Sequence, residues 1–394
     1  MSPSDSSPLF PIDRRTALLL GLGALAALPA RAATAPAKPA KLRLLAPALY
    51  GDGALLKALG GDKAQLELAP LASGDEILAP LRPLPPTATA QQQAVRPALV
   101  VAGHEWARGI LWPEGVIEPL GKDGAVPQTA IVPAPEMAAT PGVLELGIEG
   151  RYLLGRAIHL DIAALGFDRR RVSRDAVEDQ GLALLDDAAL TGRYGLVADP
   201  ARLLPMAMLY AGLDPFRLQM PSEIRRFEAA AQDLVERAGL VAPPAGLAAA
   251  LAKGTIDFAL PLGPGDLAGP RLAGAGDLVT TAPNRGPIAG FSAFYSVELL
   301  CLASQSTPLP AARAVIERAG QRPVVEALVR AGGGLRLAIG LFDPAFADLL
   351  TPEERAALAL DELPALLRHA APARLVPERG RLQPLLAKAL AGRG

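Results

Sequence analysis

Residues 195–202 read Gly-Leu-Val-Ala-Asp-Pro-Ala-Arg, a short apolar run that leads directly into a helix-start signal. The first four residues are typical of a buried strand. Asp199 is predicted as the N-cap of the helix, and Pro200 as its first residue, where the missing N–H group has no partner to lose. A strand that passes straight into a helix is the building unit of α/β folds.

The same alternation of strands and helices continues on both sides of this stretch. The clearest helix covers residues 222–239, because its apolar side chains fall on one face. That face is formed by Ile224, Phe227, Ala231, Leu234 and Val235. Further strands are predicted over 42–46, 65–71, 98–102 and 255–260, and further helices over 53–59, 199–212 and from the capping box at Thr351. The pattern predicts parallel-type sheets with helices on both faces.

Composition narrows the class of protein. The chain has 394 residues, of which 51% are hydrophobic and 20% charged, enough for two globular domains. The net charge is -1 and no basic block stands out, which argues against a nucleic-acid partner. Cys301 is the single cysteine, so an intramolecular disulfide and a cysteine-based zinc cluster are excluded. Between Leu300 and Leu302 it is predicted to be an inert core thiol.

The N-terminus carries the pattern of an export signal. Arg14 and Arg15 precede an apolar run over 17–28, and Ala30-Arg31-Ala32 forms a small-residue cleavage site. The arginine pair favours a twin-arginine signal, with an ordinary Sec signal as the alternative. We therefore predict a signal peptide over 1–32, a linker over 33–40 and a periplasmic mature protein.

The order of short motifs resembles one known family, the spermidine/putrescine-type periplasmic binding proteins of ABC importers. Residues 115–120, Gly-Val-Ile-Glu-Pro-Leu, are similar to the family's GLLEPL segment, and residues 166–172 to its GYNKDKV segment. The remaining similar segments are residues 42–50, 184–196 and 199–215. The resemblance runs from about Leu42 to the C-terminus.

This resemblance implies an α/β fold of the two-lobed periplasmic binding protein type II class, with a cleft between the lobes. The expected boundaries are 41–160 and 289–345 for lobe 1, 161–288 for lobe 2 and 346–394 for a C-terminal helical segment. Crossover strands are expected near 158–167 and 287–300. The implied role is capture of a small solute by a monomer and its delivery to an ABC permease of the inner membrane, without cofactor, metal or catalytic residue.

Departures from the family pattern concern the solute. Pro47 stands where the family has a tryptophan, Pro261 lies near a second aromatic position, and Arg202 replaces an acidic residue. A polyamine site needs carboxylates for the ammonium groups and rings for the methylene chain. We therefore expect a zwitterionic or anionic solute rather than a polyamine.

The candidate ligand-binding residues lie at expected strand ends and helix starts. Each has a structural alternative: Asp199 as an N-cap, Arg202 as a salt-bridged arginine and Glu298 as a partner in a salt bridge between lobes. The alternative for Tyr50 is packing in the core, and the alternative for His104 is a loop histidine without contact to a ligand. The full set is Tyr50, His104, Asp199, Arg202, Tyr295 and Glu298, with Arg156, His159 and Asp161 as further candidates on the first crossover.

Two other functions compete with solute capture. The loss of aromatic site positions favours a diverged two-lobed scaffold that acts as an exported accessory or protein-interaction module. An exported hydrolase would need a nucleophile beside a base, and the sequence has no G-x-S-x-G, Walker or H-E-x-x-H motif.

The export route is open to a direct test. Changing both Arg14 and Arg15 to lysine should block translocation, because lysine keeps the charge but not the guanidinium geometry that a twin-arginine receptor recognises. Processing of the precursor and its amount in the periplasmic fraction measure the effect, with Arg31→Lys as the charge-preserving control. Normal processing of the doubly substituted precursor would assign the protein to the Sec route.

Overall fold

A long mixed sheet organises the backbone, and 11 of the described strands belong to it. The computed structural model describes residues 40–71, 74–122, 144–150, 152–283 and 290–393. The strands are β1 (Ala40–Pro47), β2 (Ala64–Leu71), β3 (Leu99–Gly103), β4 (Ile117–Glu118), β5 (Gly121–Lys122), β6 (Ile148–Glu149), β7 (Tyr152–Leu153), β8 (Arg156–Asp168), β9 (Tyr194–Val197), β10 (Leu240–Ala242), β11 (Phe258–Leu262), β12 (Leu278–Thr281), β13 (Ala293–Ala303) and β14 (Ala370–Pro372).

Helices connect most of these strands and cover the sheet. They are α1 (Gly53–Gly60), α2 (Leu78–Leu81), α3 (Ala90–Ala94), α4 (His104–Trp106), α5 (Arg174–Gln180), α6 (Pro200–Tyr210), α7 (Pro221–Glu236), α8 (Pro244–Lys253), α9 (Pro264–Leu272), α10 (Leu309–Arg318), α11 (Arg322–Val329), α12 (Pro352–Ala357), α13 (Leu363–Arg368) and α14 (Arg379–Ala391). None of the helices in the described ranges is both long and apolar enough to cross a bilayer.

The order of strands divides the sheet into two lobes. It runs β10-β9-β11-β8-β13-β3-β1-β2, with parallel pairing at each end of the order. The first lobe is built on β1, β2 and β3, and the second lobe on β9, β10 and β11. The long strands β8 and β13 lie between them and pair with each other in antiparallel orientation. Because β8 also pairs with β11, and β13 with β3, these two crossover strands link the lobes.

Each lobe has its own hydrophobic core. The first packs β1, β2, β3 and most of β13 against α1, α10 and α11. In the second lobe, α6 and α7 pack against β9 and β11, and the C-terminal helix α14 joins them through Leu382, Leu386 and Leu390. A smaller cluster under α8 and α9 completes the second lobe. Buried parallel strands with helices on their faces are the arrangement that the sequence pattern predicts.

Most of the predicted elements are confirmed. The five apolar side chains predicted to share a face of the helix over 222–239 are all buried in α7. Asp199 caps α6 by accepting a hydrogen bond from the N–H of Ala201, with Pro200 at the first helical position. The two crossovers are present as β8 and β13. The lobe boundaries remain predictions, and the signal peptide and residues 33–39 of the linker lie outside the described residues.

One predicted strand begins later than expected. The alternating residues 255–257 suggested the start of a strand, but β11 begins at Phe258 and is buried along its whole length. Thr255 instead ends the preceding helix by donating backbone and hydroxyl hydrogen bonds to the carbonyl of Ala250. Asp257 pairs with Arg193. Local hydrogen bonding therefore overrides the apparent alternation.

The C-terminal end of β8 is fixed by a buried carboxylate, which gives a stability test. Asp168 is fully buried and accepts hydrogen bonds from the N–H, Nε and Nη2 groups of Arg170. We expect Asp168→Asn to lower the free energy of unfolding by about 2 kcal/mol, as for other charged hydrogen bonds. Asp348→Asn, which removes an exposed ion pair with Arg322, is the control and should change stability by less than about 1 kcal/mol.

The pH dependence of that effect has a defined sign. Hydrogen bonds from Arg170 hold the pKa of Asp168 below its ordinary value, although burial opposes the shift. Its stabilising contribution is therefore complete above the unfolded pKa of about 3.9 and is lost as the pH falls through the lower folded value. Urea unfolding of the wild type and of Asp168→Asn at pH 7 and near pH 3 measures this contribution. If Asp168→Asn and Asp348→Asn lowered the stability equally at pH 7, this role for Asp168 would be contradicted.

Candidate functional site

A cavity of about 680 Å³ lies between the two lobes. The carboxyl ends of β9, β10 and β11 supply one wall, where the chain turns into α6, α8 and α9. Leu49 and residues 332–337 form the opposite wall, in the first lobe. The crossover strands form the floor. Ligands of open α/β sheets bind outside the carboxyl ends of strands, and this cavity has that position.

The pairing of β8 with β13 brings polar side chains to one face of the floor. His159 lies opposite Glu298, and Asp161 opposite Ser296. Residues directly opposite in an antiparallel pair have their side chains on the same face. Since alternate residues share that face, a row of titratable groups lies along the bottom of the cleft.

Two groups of this row, His159 and Glu298, form a hydrogen-bond network with Tyr50. The hydroxyl of Tyr50 lies 2.6 Å from Nδ1 of His159 and 2.6 Å from Oε2 of Glu298. Nε2 of His159 lies 2.9 Å from the carbonyl oxygen of Leu328, which only accepts, so Nε2 carries a proton.

Counting protons fixes the charge of this network. Each of the two 2.6 Å contacts of the Tyr50 hydroxyl is a hydrogen bond and needs one proton. The hydroxyl supplies the proton for one of these bonds. The proton for the other bond must come from Nδ1 of His159 or from the carboxyl group of Glu298. In either case His159 and Glu298 together are neutral, so the network adds no net charge to the cleft. Burial alone would raise the pKa of Glu298, but hydrogen bonds from His159 and Tyr50 outweigh it and leave that pKa below its ordinary value.

Arg202 takes part in a second network, on the wall of the second lobe. Its Nη2 donates to Oδ2 of Asp266 at 2.7 Å and lies 3.5 Å from Oδ1 of Asp161. Asp266 also accepts a hydrogen bond from the N–H of Gly263 at 2.8 Å and so caps α9. A side chain at Gly263 would clash with the carbonyl of Ile162, because a Cβ there would lie 2.5 Å from that oxygen. Glycine therefore permits the close approach of α9 to β8 that brings Asp266 to Arg202.

Asp161 is the most exposed carboxylate on the floor of the cleft, and Asp199, at the start of α6, is a second exposed carboxylate of the same cavity. About half of the Asp161 side chain (53%) is exposed, and that exposed part faces the cleft. Its contact with Arg202 is long, and Arg202 has a shorter bond to Asp266. Burial in the cleft raises the pKa of Asp161, and the negative charge of Asp266 adds to the shift, although Arg202 opposes it. A carboxyl group with these neighbours is stabilised by any further cation that enters the cleft.

Arg336 is the cation on the opposite wall. The left-handed backbone of Gly332 and Gly333 turns the chain here, and the N–H of Leu160 bonds to the carbonyl of Leu337, which ties this segment to β8. Nε of Arg336 donates to the carbonyl of Ala331 at 3.2 Å. Within the described ranges no carboxylate lies within ion-pair distance of its guanidinium group, which lines the cleft.

The structure places the predicted site residues at two depths. Asp199, Arg202 and Glu298 line the 680 Å³ cavity, and Tyr295 lines a smaller neighbouring one. Both Arg202 and Glu298 already have partners within the chain: Arg202 pairs with Asp266, and Glu298 contacts Tyr50 and His159. Whether any of them contacts ligand stays a prediction.

Tyr50 and His104 lie beneath the cleft surface instead of on it. Tyr50 is completely buried and reaches the cleft only through its bond to Glu298. His104 is 2% exposed, and its Nδ1 accepts a hydrogen bond from the N–H of Val297. Burial lowers the pKa of His104 to about 4, so it is neutral at pH 7. Direct contact with a ligand is not available to either side chain in this conformation.

Sequence reasoning missed Asp266, Arg336 and Trp106. Asp266 is 64 residues from Arg202, a separation without a motif. Three glycines, Gly332 to Gly334, come shortly before Arg336 and indicate a turn there. Trp106 lies four residues after the predicted buried strand over 98–102, in the loop where binding residues are expected. In the described part of the chain, no group of three or more His, Cys, Asp or Glu side chains is placed to hold a metal ion.

Comparisons with known proteins agree on the fold. No protein-family model and no curated protein matches the sequence. Among solved structures, the chain is similar to the spermidine/putrescine ABC transporter substrate-binding protein PotD of Streptococcus pneumoniae, with a TM-score of 0.59, 11% identity, and coverage of 90% of this chain and 100% of that one.

Two further similar structures have other ligands in their descriptions. The periplasmic binding protein MotA of A. tumefaciens B6, in complex with glucopine, has a TM-score of 0.56, 13% identity, and coverage of 89% of this chain and 99% of that one. The Atu4243-GABA receptor has a TM-score of 0.59, 14% identity, and coverage of 89% and 97%. The chain thus has the two-lobed fold of the periplasmic substrate-binding proteins.

The Tyr50 network gives a testable difference between buried and exposed hydroxyl groups. Tyr50→Phe should lower the free energy of unfolding by about 1–3 kcal/mol, because it leaves buried His159 and half-buried Glu298 without their bridging hydroxyl. Tyr210→Phe is the matched control, since its hydroxyl also has two side-chain partners, the carboxylates of Asp186 and Asp233, but at the surface where water replaces it. Denaturant unfolding at pH 7 measures both, and a loss as large in the control would contradict the buried network.

Proposed function

We propose that this chain is an exported, non-enzymatic solute-binding protein that captures a small zwitterion and delivers it to an ABC permease. The observation that carries the proposal is a pair of opposite charges in the cleft whose pairing is incomplete, Asp161 on the floor and Arg336 on the wall of the first lobe. A zwitterion has an ammonium group for the first and an anionic group for the second. The two-lobed fold supports the transport role.

Asp161 supports an ammonium group on the solute. The carboxylates of Asp266 and Asp161 share one strong cationic partner, Arg202, and Asp266 holds the shorter bond. A second cation beside Asp161 would complete this pairing. Because the cleft is partly shielded from water, opposite charges interact there more strongly than at an open surface.

Arg336 supports a carboxylate or another anionic group at the other end. Its guanidinium group makes one hydrogen bond, to the carbonyl of Ala331, and keeps other N–H donors. A carboxylate can accept two parallel hydrogen bonds from such donors. Arg202 and Glu298 also line the cleft, but each already has partners within the chain. These internal partners favour Arg336 for the anionic end of the solute and Asp161 for its amine.

The similar structures support this class of solute without identifying it. One of them is described as a GABA receptor, and GABA carries an ammonium group and a carboxylate. Binding in a cleft between two lobes favours the closed form, because only that form makes contacts from both sides. We propose that the permease recognises that closed form, and that the N-terminal signal directs the chain to the periplasm.

Substitutions at the two open charges test the proposal. Asp161→Asn and Arg336→Gln should each weaken binding of a zwitterion by about 10-fold to 100-fold, the effect of a lost charged hydrogen bond. Asp361→Asn, at a fully exposed aspartate outside the cleft, is the control. Calorimetric titrations with 4-aminobutanoate, L-alanine, L-phenylalanine and putrescine measure the affinities. Affinity should fall as the pH is lowered, because Asp161 becomes protonated and loses its charge. Since the pKa of Asp161 is raised, this loss should begin at a higher pH than it would for an ordinary aspartate.

Two results would contradict the proposal. Tight binding of putrescine that is unaffected by Arg336→Gln would indicate a polyamine receptor. Failure of every solute to bind would favour the scaffold alternative, since a ligand stabilises only a protein that binds it.

A further inference from the structure

A second cavity of about 190 Å³ lies next to the larger one. Asp161 and Arg202 line both cavities and so stand between them. The floor is continuous, because Ala163 follows Asp161 on the same face of β8 and lines the second cavity only. The cleft therefore consists of a larger chamber and a smaller chamber that meet at Asp161.

The two chambers differ in their chemistry. The charged side chains of Asp199, Asp266 and Arg336 line the larger chamber and not the smaller one. Mostly apolar side chains surround the smaller one, among them Trp106, Leu204, Pro205, Phe294, Leu375 and Val376.

Several polar groups of the smaller chamber have partners within the chain, and Arg374 and Gln383 line it as well. Ser296 donates a hydrogen bond to Oε2 of Glu105 at 2.7 Å, and burial raises the pKa of Glu105. The guanidinium of Arg379 lies 5.0 Å from the ring centre of Trp106 and covers it. The chamber therefore offers a partner mainly apolar and aromatic surface.

Three parts of the chain line this chamber. Trp106 comes from the first lobe, at the end of α4, and Leu204 and Pro205 come from α6 of the second lobe. Residues 373–376, which follow β14, and Arg379 and Gln383 of α14 supply the remaining side. A pocket held by three separate segments has a defined shape, as a specific subsite requires.

We propose that the smaller chamber binds an apolar ring or branched apolar group of the same solute whose ammonium group lies on Asp161. This inference rests on the proposed function and narrows it to a zwitterion with an apolar side group. The size is suitable, since an apolar cavity of about 150 Å³ in another protein holds benzene. Asp161 lies at the junction of the two chambers. A solute whose ammonium group binds Asp161 can therefore extend its anionic group into the larger chamber and its apolar side group into the smaller one.

Two alanines at equivalent helix positions allow a matched test. Ala201 follows the first proline of α6 and lines the smaller chamber, and Ala245 follows the first proline of α8 and lines the larger one. Both are exposed, so leucine at either position is compatible with the fold. Ala201→Leu fills part of the smaller chamber, and Ala245→Leu narrows the larger one.

The measured quantity is the ratio of the affinities for L-phenylalanine and L-alanine. We expect the wild-type chain to bind L-phenylalanine at least about tenfold more tightly, because the ring is removed from water. Ala201→Leu should reduce this ratio to about one with little change for L-alanine. Ala245→Leu should weaken both amino acids alike and leave the ratio unchanged. A wild-type ratio near one, or a ratio unaffected by Ala201→Leu, would overturn the inference.

Benzyl alcohol separates the inference from the proposed function, because it has a ring but no charge. Saturation-transfer NMR should detect its binding to the wild type and a loss of the signal in Ala201→Leu, but not in Ala245→Leu. Binding of L-alanine without binding of benzyl alcohol and without preference for L-phenylalanine would leave the solute-binding role intact and refute the apolar chamber. Binding of benzyl alcohol alone would support the chamber and contradict the zwitterion. Absence of all binding would refute both.

Discussion

The antiparallel pairing of β8 with β13 is the constraint on which the cleft depends. These strands link the two lobes, and their register sets His159 opposite Glu298 and Asp161 opposite Ser296. A shift by one residue would turn every one of these side chains to the other face of the sheet. The floor of the cleft, its two networks and the position of Asp161 between two chambers all follow from this register.

Internal pairing decides which charges of the cleft remain for a solute. Removing a charge from water is unfavourable unless a partner compensates for it. Glu298 is compensated by His159 and Tyr50, and Arg202 by Asp266. Asp161, Asp199 and Arg336 lack full compensation within the described chain, so the polarity of the site is set by the groups whose pairing is incomplete. A sequence motif alone identifies the charged residues but not this difference.

Local features of the fold could be predicted from the sequence, and long-range partners could not. The helix start at Asp199-Pro200 and the buried face of α7 depend on residues a few positions apart, so periodicity and capping rules reveal them. The bond between Tyr50 and Glu298 joins residues 248 positions apart, and only the register of the crossover strands brings them together. Arg202 stands out in the sequence because it replaces an acidic residue of the family pattern. Its partner Asp266 depends on the close approach of α9 to β8 at Gly263, which no local pattern predicts.

The loss of aromatic residues at family positions fits a cleft that binds a different solute better than a scaffold that binds none. Rings are absent at Pro47 and Pro261, yet Trp106, Phe294 and Tyr295 line the adjacent smaller chamber. A half-exposed carboxylate whose pKa is raised by burial in the cleft and by the charge of Asp266 lowers stability unless a further cation in the cleft offsets it. A scaffold without a ligand gains nothing from keeping Asp161 in that position, whereas a receptor for an amine gains the attraction that holds the solute. The incomplete pairing of Asp161 therefore favours a binding function over a purely structural one.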